Sequence, residues 1–433
     1  MIKRFICCCM VFLLFLQVGC TRVVPVIKGT SSYQEKGITI TDKGNYFDAV
    51  LDYTSGLTPR DMGAAFARGI LKVVPDYETL IDSYIAESLP DYEYSFIFPR
   101  VDDIKPQLDQ NYIEEIEGMA SVFSGGSENI RKDNKISVGE LYVLNLFTDV
   151  LRGAQCSFVS VYGARSDTNK TITGRNLDWF GGRQNQLPRI QAVITIKNKE
   201  SKICSVGYLG YMGILTGFND SKVFAGILDS IVGTAYSSQG RRSYTLDLRY
   251  ALENYKTMDE IAEFMKDAKK LYAVNHIIAF SDPDRSEILE NNFSGNRTDG
   301  RKVQRALRDA DSKLNKGVTW GISDAVGSVN SFILDGNYDN HTTNGYNTKR
   351  WKNMKNELLS KGTAVSAQEL KEIISFKRGE PDALSEASDL YNKMTLYMVL
   401  FQPDSLSLEV YFRPRGIRES PDNPVFEKIE VFK

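Results

Sequence analysis

A lone cysteine at the head of a β-prone run constrains this sequence more than any other feature. The run 156–162 alternates polar and apolar residues, and a second β-prone run covers 171–179 after a short polar turn. This pattern predicts an antiparallel hairpin with Cys156 at the outer end of its first strand. Because Arg175 and Asp178 lie on the return strand, we expect a thiol, a guanidinium and a carboxylate at one end of a sheet. Such a group can form a nucleophilic site if a base is available.

The sequence offers few candidates for that base. It contains only two histidines, His276 and His341, and a Cys–His arrangement requires that one of them reach Cys156. The other solution is cleavage of the Gln155–Cys156 bond, which would make the α-amino group of Cys156 the base. An α-amino group has a reference pKa of about 7.7–8.0, close to neutral pH. The residues alone leave both alternatives open.

Several segments together resemble one family. They are the cysteine strand with its Gly-Arg-Asn-Leu-Asp-Trp return (174–179), the glycine-rich segment 210–219, the Thr-Asn segment 342–351, and the Met-Ala-Ser-Val-Phe-Ser-Gly and Leu-Tyr-Val-Leu-Asn-Leu-Phe stretches upstream. Here the chain resembles the choloylglycine hydrolase branch of the N-terminal-nucleophile hydrolases, within it the acid ceramidases and N-acylethanolamine acid amidases. The likeness runs from about Tyr53 to the C-terminus. It implies an α+β fold, the four-layer αββα sandwich of that family, and cleavage of the chain before Cys156.

The resemblance also implies a role for each candidate site residue. Cys156 would be the nucleophile, Arg175 would favour its thiolate, and Asp178 would hold the ammonium form of its α-amine. Asn344 would donate to the oxyanion, and Asp229 matches a position that is Asn or Glu in the relatives. A charged aspartate cannot donate to an oxyanion, so the role of Asp229 stays open. The structural alternatives are a buried apolar cysteine, an Arg175–Asp178 salt bridge and a turn at Asn344.

Other residues near these motifs have no assigned chemistry. Asn176 is expected to face the other side of its strand, and Cys204 to fill a strand position. Side chains that could line an acyl pocket, or equally belong to the core, are Trp179, Phe180, Tyr208, Tyr211 and Met212. The sequence predicts no cofactor and no metal ion, since its Cys and His residues lack zinc-site spacing and its glycines form no phosphate-binding fingerprint. The net charge of −2 argues against a nucleic-acid partner.

The N-terminus has the pattern of a targeting segment. Lys3 and Arg4 precede an apolar run over 5–18, which is too short for a confident membrane-spanning helix. Gly19-Cys20 follows and resembles a bacterial lipoprotein cleavage site, where Cys20 becomes lipidated. We therefore expect residues 1–20 to be a lipoprotein signal peptide and the protein to be anchored in the cell envelope, in the periplasm or at the outer membrane. Ordinary signal cleavage is the alternative.

The rest of the chain divides at the nucleophile. Residues 21–44 are predicted to be a tether, 45–155 a helical N-terminal (α) subunit whose last helix begins at a Ser137–Glu140 capping box, and 156–433 the catalytic (β) subunit. Predicted strands after Cys156 are 158–162, 171–177, 190–197, 203–209, 223–228, 276–281, 287–291, 394–402 and 407–412, and predicted helices are 243–255, 258–268 and 366–376. Residues 294–316 are polar and are predicted to be a surface excursion.

These expectations combine into one functional hypothesis. The chain would be an exported, self-processing cysteine amidase for linear non-peptide amides of small N-acyl substrates, such as N-acylethanolamines, ceramides or bile-salt conjugates. Its two fragments would stay associated after cleavage. An acyltransferase of the penicillin-acyltransferase type is the nearest alternative. An inactive, unprocessed binding lipoprotein is the alternative from another class, and an intact Gln155–Cys156 bond would favour it.

Overall fold

The computed structural model describes two β-sheets with helices on their outer faces. The described residues are 28–151, 155–230, 236–292, 304–337, 341, 344–378, 389–416 and 420–432. Within these ranges, no helix is long and apolar enough to cross a membrane. The predicted signal peptide lies outside them.

Sixteen strands in the described ranges form the two sheets. In chain order they are β1 (Ser32–Glu35), β2 (Ile38–Asp42), β3 (Phe47–Asp52), β4 (Gln155–Val161), β5 (Ile172–Asp178), β6 (Gln191–Lys197), β7 (Lys202–Tyr208), β8 (Thr216–Asn219), β9 (Phe224–Asp229), β10 (His276–Ser281), β11 (Ser286–Asn291), β12 (Arg305–Arg308), β13 (Ala325–Ser328), β14 (Thr395–Gln402), β15 (Ser407–Phe412) and β16 (Glu427–Ile429). The first sheet has the order β1-β2-β3-β6-β7-β8-β9-β10-β11-β12, and only β3 and β6 are parallel neighbours. The second sheet is antiparallel, with the order β13-β4-β5-β14-β15-β16.

Helices cover the outer face of each sheet. Those in the described ranges are α1 (Pro59–Val73), α2 (Tyr77–Ser88), α3 (Asp91–Ile104), α4 (Gln110–Ala120), α5 (Val138–Asn145), α6 (Phe147–Val150), α7 (Tyr244–Asn254), α8 (Met258–Lys266), α9 (Gly345–Ser360) and α10 (Ala367–Ile374). Helices α1, α7 and α8 pack on the first sheet, and α9 and α10 pack on the second. Helices α2, α3, α4 and α6 pack around α5, and α4 also packs against α1.

The inner faces of the two sheets pack on each other. Phe158 of the second sheet stacks on Phe224 of the first, with ring centroids 6.3 Å apart. Phe401 stacks on Phe218 and on Phe224 across the same interface, at 4.2 and 5.6 Å. These rings are buried in the layer between the sheets. Removal of such apolar surface from water is the dominant source of stability in a sandwich of this kind. The predicted α+β class and four-layer αββα sandwich are confirmed.

The beginning of the chain differs from the prediction. The tether predicted over 21–44 contains the strands β1 and β2 in its described part, and β3 follows in the segment predicted to be helical. In β2, Ile38 and Ile40 are buried and alternate with half-buried threonines. That alternation is typical of a strand with one buried face, so the polar composition of the segment was a misleading guide.

The hairpin predicted around Cys156 is confirmed. β4 and β5 pair antiparallel, with Cys156 opposite Leu177. Upstream, the capping box is present, because Ser137 and Glu140 each accept from the backbone N–H of the other. The single helix predicted there is wrong in one respect, since it breaks at Leu146 into α5 and the short α6.

Two segments after Cys156 also differ from the prediction. Part of the predicted surface excursion 294–316 is strand β12, which pairs with β11. Its Arg308 is buried against Glu290, with 2.9 Å between Nε and Oε1, so a charged residue here marks an internal ion pair rather than solvent. Helix α9 was not predicted, although it carries part of the candidate site. The described strands β8 and β13 were not predicted either.

A buried ion pair joins the two parts of the chain that flank Cys156. Arg249 of α7 donates from Nη1 and Nη2 to Glu115 of α4, at 2.5 and 2.8 Å. Its Nε also donates to Glu253 at 2.9 Å. The side chains of Arg249 and Glu115 are 1% and 2% exposed, so neither charge has water as an alternative partner. The pair therefore ties the upstream helices to the downstream chain.

We expect the variant Arg249→Ala to lose about 3–5 kcal/mol of unfolding free energy, because it leaves the buried carboxylate of Glu115 without its cation. Chemical denaturation followed by fluorescence would measure the loss. The matched control is Arg60→Ala, which removes a solvent-exposed pair with Glu117 and should cost less than about 1 kcal/mol. Equal losses in the two variants would contradict the structural importance of the buried pair.

Candidate active site

Cys156 is the second residue of β4, in the interior of the second sheet. Its side chain is buried, and β4 is flanked by β13 on one side and β5 on the other. At Cys156 itself the strand partner is Leu177 of β5, since β13 pairs with β4 only from Phe158 onwards. The other described free cysteine, Cys204, is buried in β7, as predicted for a residue that fills a strand position.

Arg175 brings a positive charge to the thiol. Its register partner on β4 is Phe158, so its side chain leaves the sheet on the same face as Cys156. Nη2 of the guanidinium donates to the Ile227 carbonyl at 2.5 Å and lies 3.8 Å from Cys156 Sγ. Gly226 leaves room for this side chain, because a Cβ there would lie 2.7 Å from Arg175 Cδ. The structure thus brings Arg175 together with Cys156.

Asp178 lies at the end of β5, opposite Gln155. Its carboxylate accepts from Thr395 Oγ1 at 2.7 Å and from Asn392 Nδ2 at 3.0 Å, and Arg350 Nη1 lies 3.8 Å away. Burial raises the pKa of this carboxyl, and the charge of Arg350 is the largest effect that opposes the rise. The carboxylate is therefore held beside the bond that precedes the nucleophile.

Arg350 joins these groups, although the sequence analysis did not single it out. It lies on α9 and is fully buried. Nη1 donates to the carbonyl of Cys156 at 2.7 Å, while Nη2 donates to the side-chain oxygens of Asn330 and Asn347 at 2.9 and 2.7 Å. A buried guanidinium must satisfy its donors, so these contacts fix the backbone of Cys156 relative to α9.

Asn330, also absent from the sequence analysis, holds the backbone nitrogen of Cys156. It follows β13, and its Oδ1 accepts from the Cys156 N–H at 2.6 Å. Its Nδ2 donates to the backbone carbonyl of Asp229 at 2.6 Å, and its own carbonyl accepts from Asn347 Nδ2 at 2.9 Å. The side chain is thus oriented by neighbours on three elements, and the main-chain nitrogen of Cys156 has a defined acceptor.

Asn344 is placed differently from the prediction. It is the N-cap of α9, and its side-chain oxygen accepts from the N–H of Asn347 at 3.0 Å. Among the described contacts it makes none with Cys156, and the asparagine that does so is Asn330. The physical reason is that Asn-Gly here begins a helix, whose first N–H groups need a side-chain acceptor. The preceding residues 342–343 lie outside the described ranges.

Asp229 reaches the site from the first sheet. It ends β9, and its side chain lines a cavity of about 40 Å³ beside Cys156. Three of the predicted pocket residues, Trp179, Tyr208 and Tyr211, line the same cavity. Three more lining residues, Leu144, Phe147 and Thr148, come from α5 and α6, before the nucleophile. The cavity is thus built from both sides of the Gln155–Cys156 bond.

Phe180 and Met212, the other two residues predicted to line an acyl pocket, are not among those that line this cavity. Phe180 stacks on Tyr84, with ring centroids 6.1 Å apart. The backbone N–H of Met212 donates to Asn145 Oδ1 at 2.8 Å. Asn176 faces the helical side of its sheet, as predicted, and donates to the carbonyl of Ile374 at 2.8 Å.

The thiol of Cys156 is protonated at neutral pH in the intact chain. Burial raises its pKa to about 11, and the charge of Arg175 is the largest effect that lowers it. Neither histidine is suited to take the proton. Burial lowers the pKa of His276 to about 3 and that of His341 to about 4. His276 also uses both ring nitrogens, towards the carbonyl of Val274 and the side-chain nitrogen of Asn291.

One of the two site residues that the motifs did not indicate, Arg350, could have been predicted from the sequence. Trp351, Met354 and Leu358 follow the spacing of a buried helix face, and Arg350 lies on the same side of that helix. A helical interpretation of 345–360 would therefore have suggested a buried arginine. Asn330 has no comparable signal, because only tertiary packing brings it to Cys156. Among the described residues, no cluster of His, Cys, Asp or Glu could hold a metal ion.

Comparisons with known proteins give partial structural similarities. No family model matches the sequence, and no curated protein matches it. In fold, the chain is similar to an N-acylethanolamine-hydrolyzing acid amidase ortholog from Caenorhabditis elegans, at 14% identity and a TM-score of 0.41, over 57% of this chain and 93% of the other. It is also similar to a variant of conjugated bile acid hydrolase from Clostridium perfringens (12% identity, TM-score 0.37, 64% of this chain and 98% of the other). A third similar structure is penicillin V acylase from Agrobacterium tumefaciens (12% identity, TM-score 0.36, 64% of this chain and 86% of the other).

All three proteins are N-terminal-nucleophile hydrolases, the family that the sequence motifs indicate. The similarity is one of fold.

Proposed function

We propose that this protein is a cysteine amidase that cleaves its own chain at Gln155–Cys156 and then hydrolyses linear, non-peptide N-acyl amides. The observation that carries the proposal is the environment of Cys156. Its backbone nitrogen is held by Asn330 Oδ1 at 2.6 Å, and its sulfur lies 3.8 Å from Arg175 Nη2. Cleavage would turn that held nitrogen into an α-amine on the same residue as the thiol.

Self-cleavage would begin with attack of Cys156 Sγ on the carbonyl of Gln155. The bond between that carbonyl carbon and the Cys156 nitrogen breaks, a thioester forms, and the thiol proton ends on the released amine. Water then hydrolyses the thioester, which frees the Gln155 carboxylate and restores the thiol. Asp178 would favour the ammonium form of the new amine, since its carboxylate is held beside this bond.

The catalytic cycle would repeat this chemistry on a substrate. The α-amine takes the proton of the thiol, and the sulfur attacks the amide carbonyl. The same proton goes to the leaving amine, which leaves an acyl thioester on Cys156 for water to hydrolyse. Arg175 would stabilise the thiolate, because its charge already lowers the pKa of this thiol. Asp229 remains a candidate without an assigned step.

The cavity beside Cys156 supports an acyl substrate. Six aromatic rings line it, those of Tyr84, Phe147, Trp179, Tyr208, Tyr211 and Tyr244. Burial of an apolar acyl chain against such rings is favourable by roughly 25 cal/mol per Å². At about 40 Å³ the cavity of the intact chain is far smaller than the 300–1,000 Å³ of a typical ligand pocket. Binding would therefore require displacement of α5 or α6, which cleavage at Gln155–Cys156 would make easier.

The processed protein should release free acid from at least one member of a panel of N-acylethanolamines, ceramides, bile-salt conjugates and N-acyl amino acids. Product analysis by mass spectrometry would detect the acid. Cys156→Ala should abolish the release, while the matched control Cys204→Ala should keep it, since Cys204 is a buried strand residue. No release from any panel member, or activity in Cys156→Ala, would contradict the proposal. Transfer of the acyl group to an added amine would indicate an acyltransferase instead.

Asn330→Ala should lower kcat of the processed protein by roughly a hundredfold, because the α-amine loses the acceptor that orients it as a base. The matched control is Asn344→Ala. It removes a helix cap, so it should cost about 1 kcal/mol of stability and leave kcat near that of the wild type. Steady-state kinetics and thermal unfolding on both variants would check this. The reverse pattern, a large loss of kcat only in Asn344→Ala, would restore its predicted oxyanion role.

Lipid anchoring is proposed from the sequence pattern that ends in Gly19-Cys20. Cys20→Ser should move the protein from the membrane fraction to the soluble exported fraction and remove the mass of the lipid. Cys9→Ser is the matched control, because Cys9 lies in the apolar run and should leave anchoring unchanged. A wild-type protein without lipid mass would contradict the localisation and leave the proposed chemistry standing.

A further inference from the structure

Tyr208 differs in one respect from Tyr84 and Tyr211, which line the same cavity. The hydroxyl of Tyr84 accepts from Trp179 Nε1 at 2.8 Å, and the hydroxyl of Tyr211 donates to Thr245 Oγ1 at 3.0 Å. The hydroxyl of Tyr208 is buried and has no hydrogen-bond partner among the described residues. A buried polar group without a partner is costly and calls for an explanation.

The position of Tyr208 is fixed by its surroundings. It ends β7 and is followed by a turn in which its carbonyl accepts from the N–H of Tyr211 at 3.1 Å. Its ring packs against Tyr397 of the other sheet, with centroids 6.5 Å apart. Because sheet and ring contacts hold it on both sides, the hydroxyl cannot turn out to solvent for a partner. A substrate that enters the cavity would supply this hydroxyl with a partner.

Arg175, which lies beside Cys156, has a related feature. Its Nε and Nη1 are buried and also have no hydrogen-bond partner within the described ranges. Nη2 of Arg175 lies 3.8 Å from Cys156 Sγ, and Cys156 and Tyr208 both line the cavity. The cavity, whose lining is mainly apolar, thus contains both the Tyr208 hydroxyl and the sulfur that would attack the substrate carbonyl.

We propose that Tyr208 is a specificity-determining residue that donates a hydrogen bond to an oxygen on the acyl group of the substrate. The preferred substrates are then amides of acids that carry a hydroxyl on the acyl chain. Amides of unsubstituted acids leave the Tyr208 hydroxyl buried without a partner, so they bind less well. This inference rests on the proposed amidase function and specifies its substrate class.

The test compares amides that share one amine and one chain length and differ by a single hydroxyl on the acyl group. The processed wild-type protein should favour the better hydroxylated amide by about tenfold in kcat/KM, the value of one neutral hydrogen bond. Tyr208→Phe should abolish this preference. Tyr211→Phe is the matched control, since it removes a hydroxyl that is already bonded to Thr245, and it should keep the preference.

Thermal unfolding gives an independent readout. Tyr208→Phe should have a Tm no lower than the wild type, because the hydroxyl it removes has no partner in the protein, whereas Tyr211→Phe should have a lower Tm. An equal loss of Tm in both variants would overturn the inference. So would equal kcat/KM values for the two amides in the wild type, or a preference that survives in Tyr208→Phe, while the amidase function would stand. If neither amide is hydrolysed and the whole panel also fails, both the function and this inference fall.

Discussion

The buried guanidinium of Arg350 is the interaction on which the candidate site depends. It contacts the carbonyl of Cys156 and the side chains of Asn330 and Asn347, and it lies 3.8 Å from Asp178. A charge removed from water in this way needs acceptors and a counter-ion. Both Nη atoms have acceptors, and Asp178 is the nearby carboxylate, while Nε has no hydrogen-bond partner among the described residues. The arginine therefore forces strand, helix and loop into one arrangement, and the position of Cys156 follows from it.

The site requires an apolar cavity for an acyl group and a reactive thiolate, and burial favours the first and disfavours the second. It provides an apolar, aromatic cavity beside Cys156, which suits an acyl group, and it raises the pKa of the thiol to about 11, which disfavours the thiolate. The charge of Arg175 offsets only part of that rise. A base within reach of the sulfur is therefore needed, and the described histidines are neutral and engaged elsewhere. The α-amine of a cleaved chain would meet this need without any further residue.

The local parts of this arrangement could be predicted from the sequence, and the long-range parts could not. The pairing of Cys156 with the return strand follows from alternation and a short turn, so the contact with Arg175 was accessible. Asn330 reaches Cys156 only through the packing of β13 and α9, which no local pattern encodes. Asn344 was assigned from its segment rather than from its geometry, and the start of a helix gives the same Asn-Gly signal as a turn. The segment predicted to be a tether is polar in composition, but the alternation of buried isoleucines and half-buried threonines in β2 is the pattern of a strand.

The most direct test of the account is the state of the Gln155–Cys156 bond in purified active protein. Intact mass and N-terminal sequencing should find a large fragment that begins at Cys156, associated with a smaller fragment that ends at Gln155. Cys156→Ala, which lacks the attacking sulfur, should remain a single chain. An active wild-type protein with this bond uncut would contradict the central claim, because the proposed base would not exist.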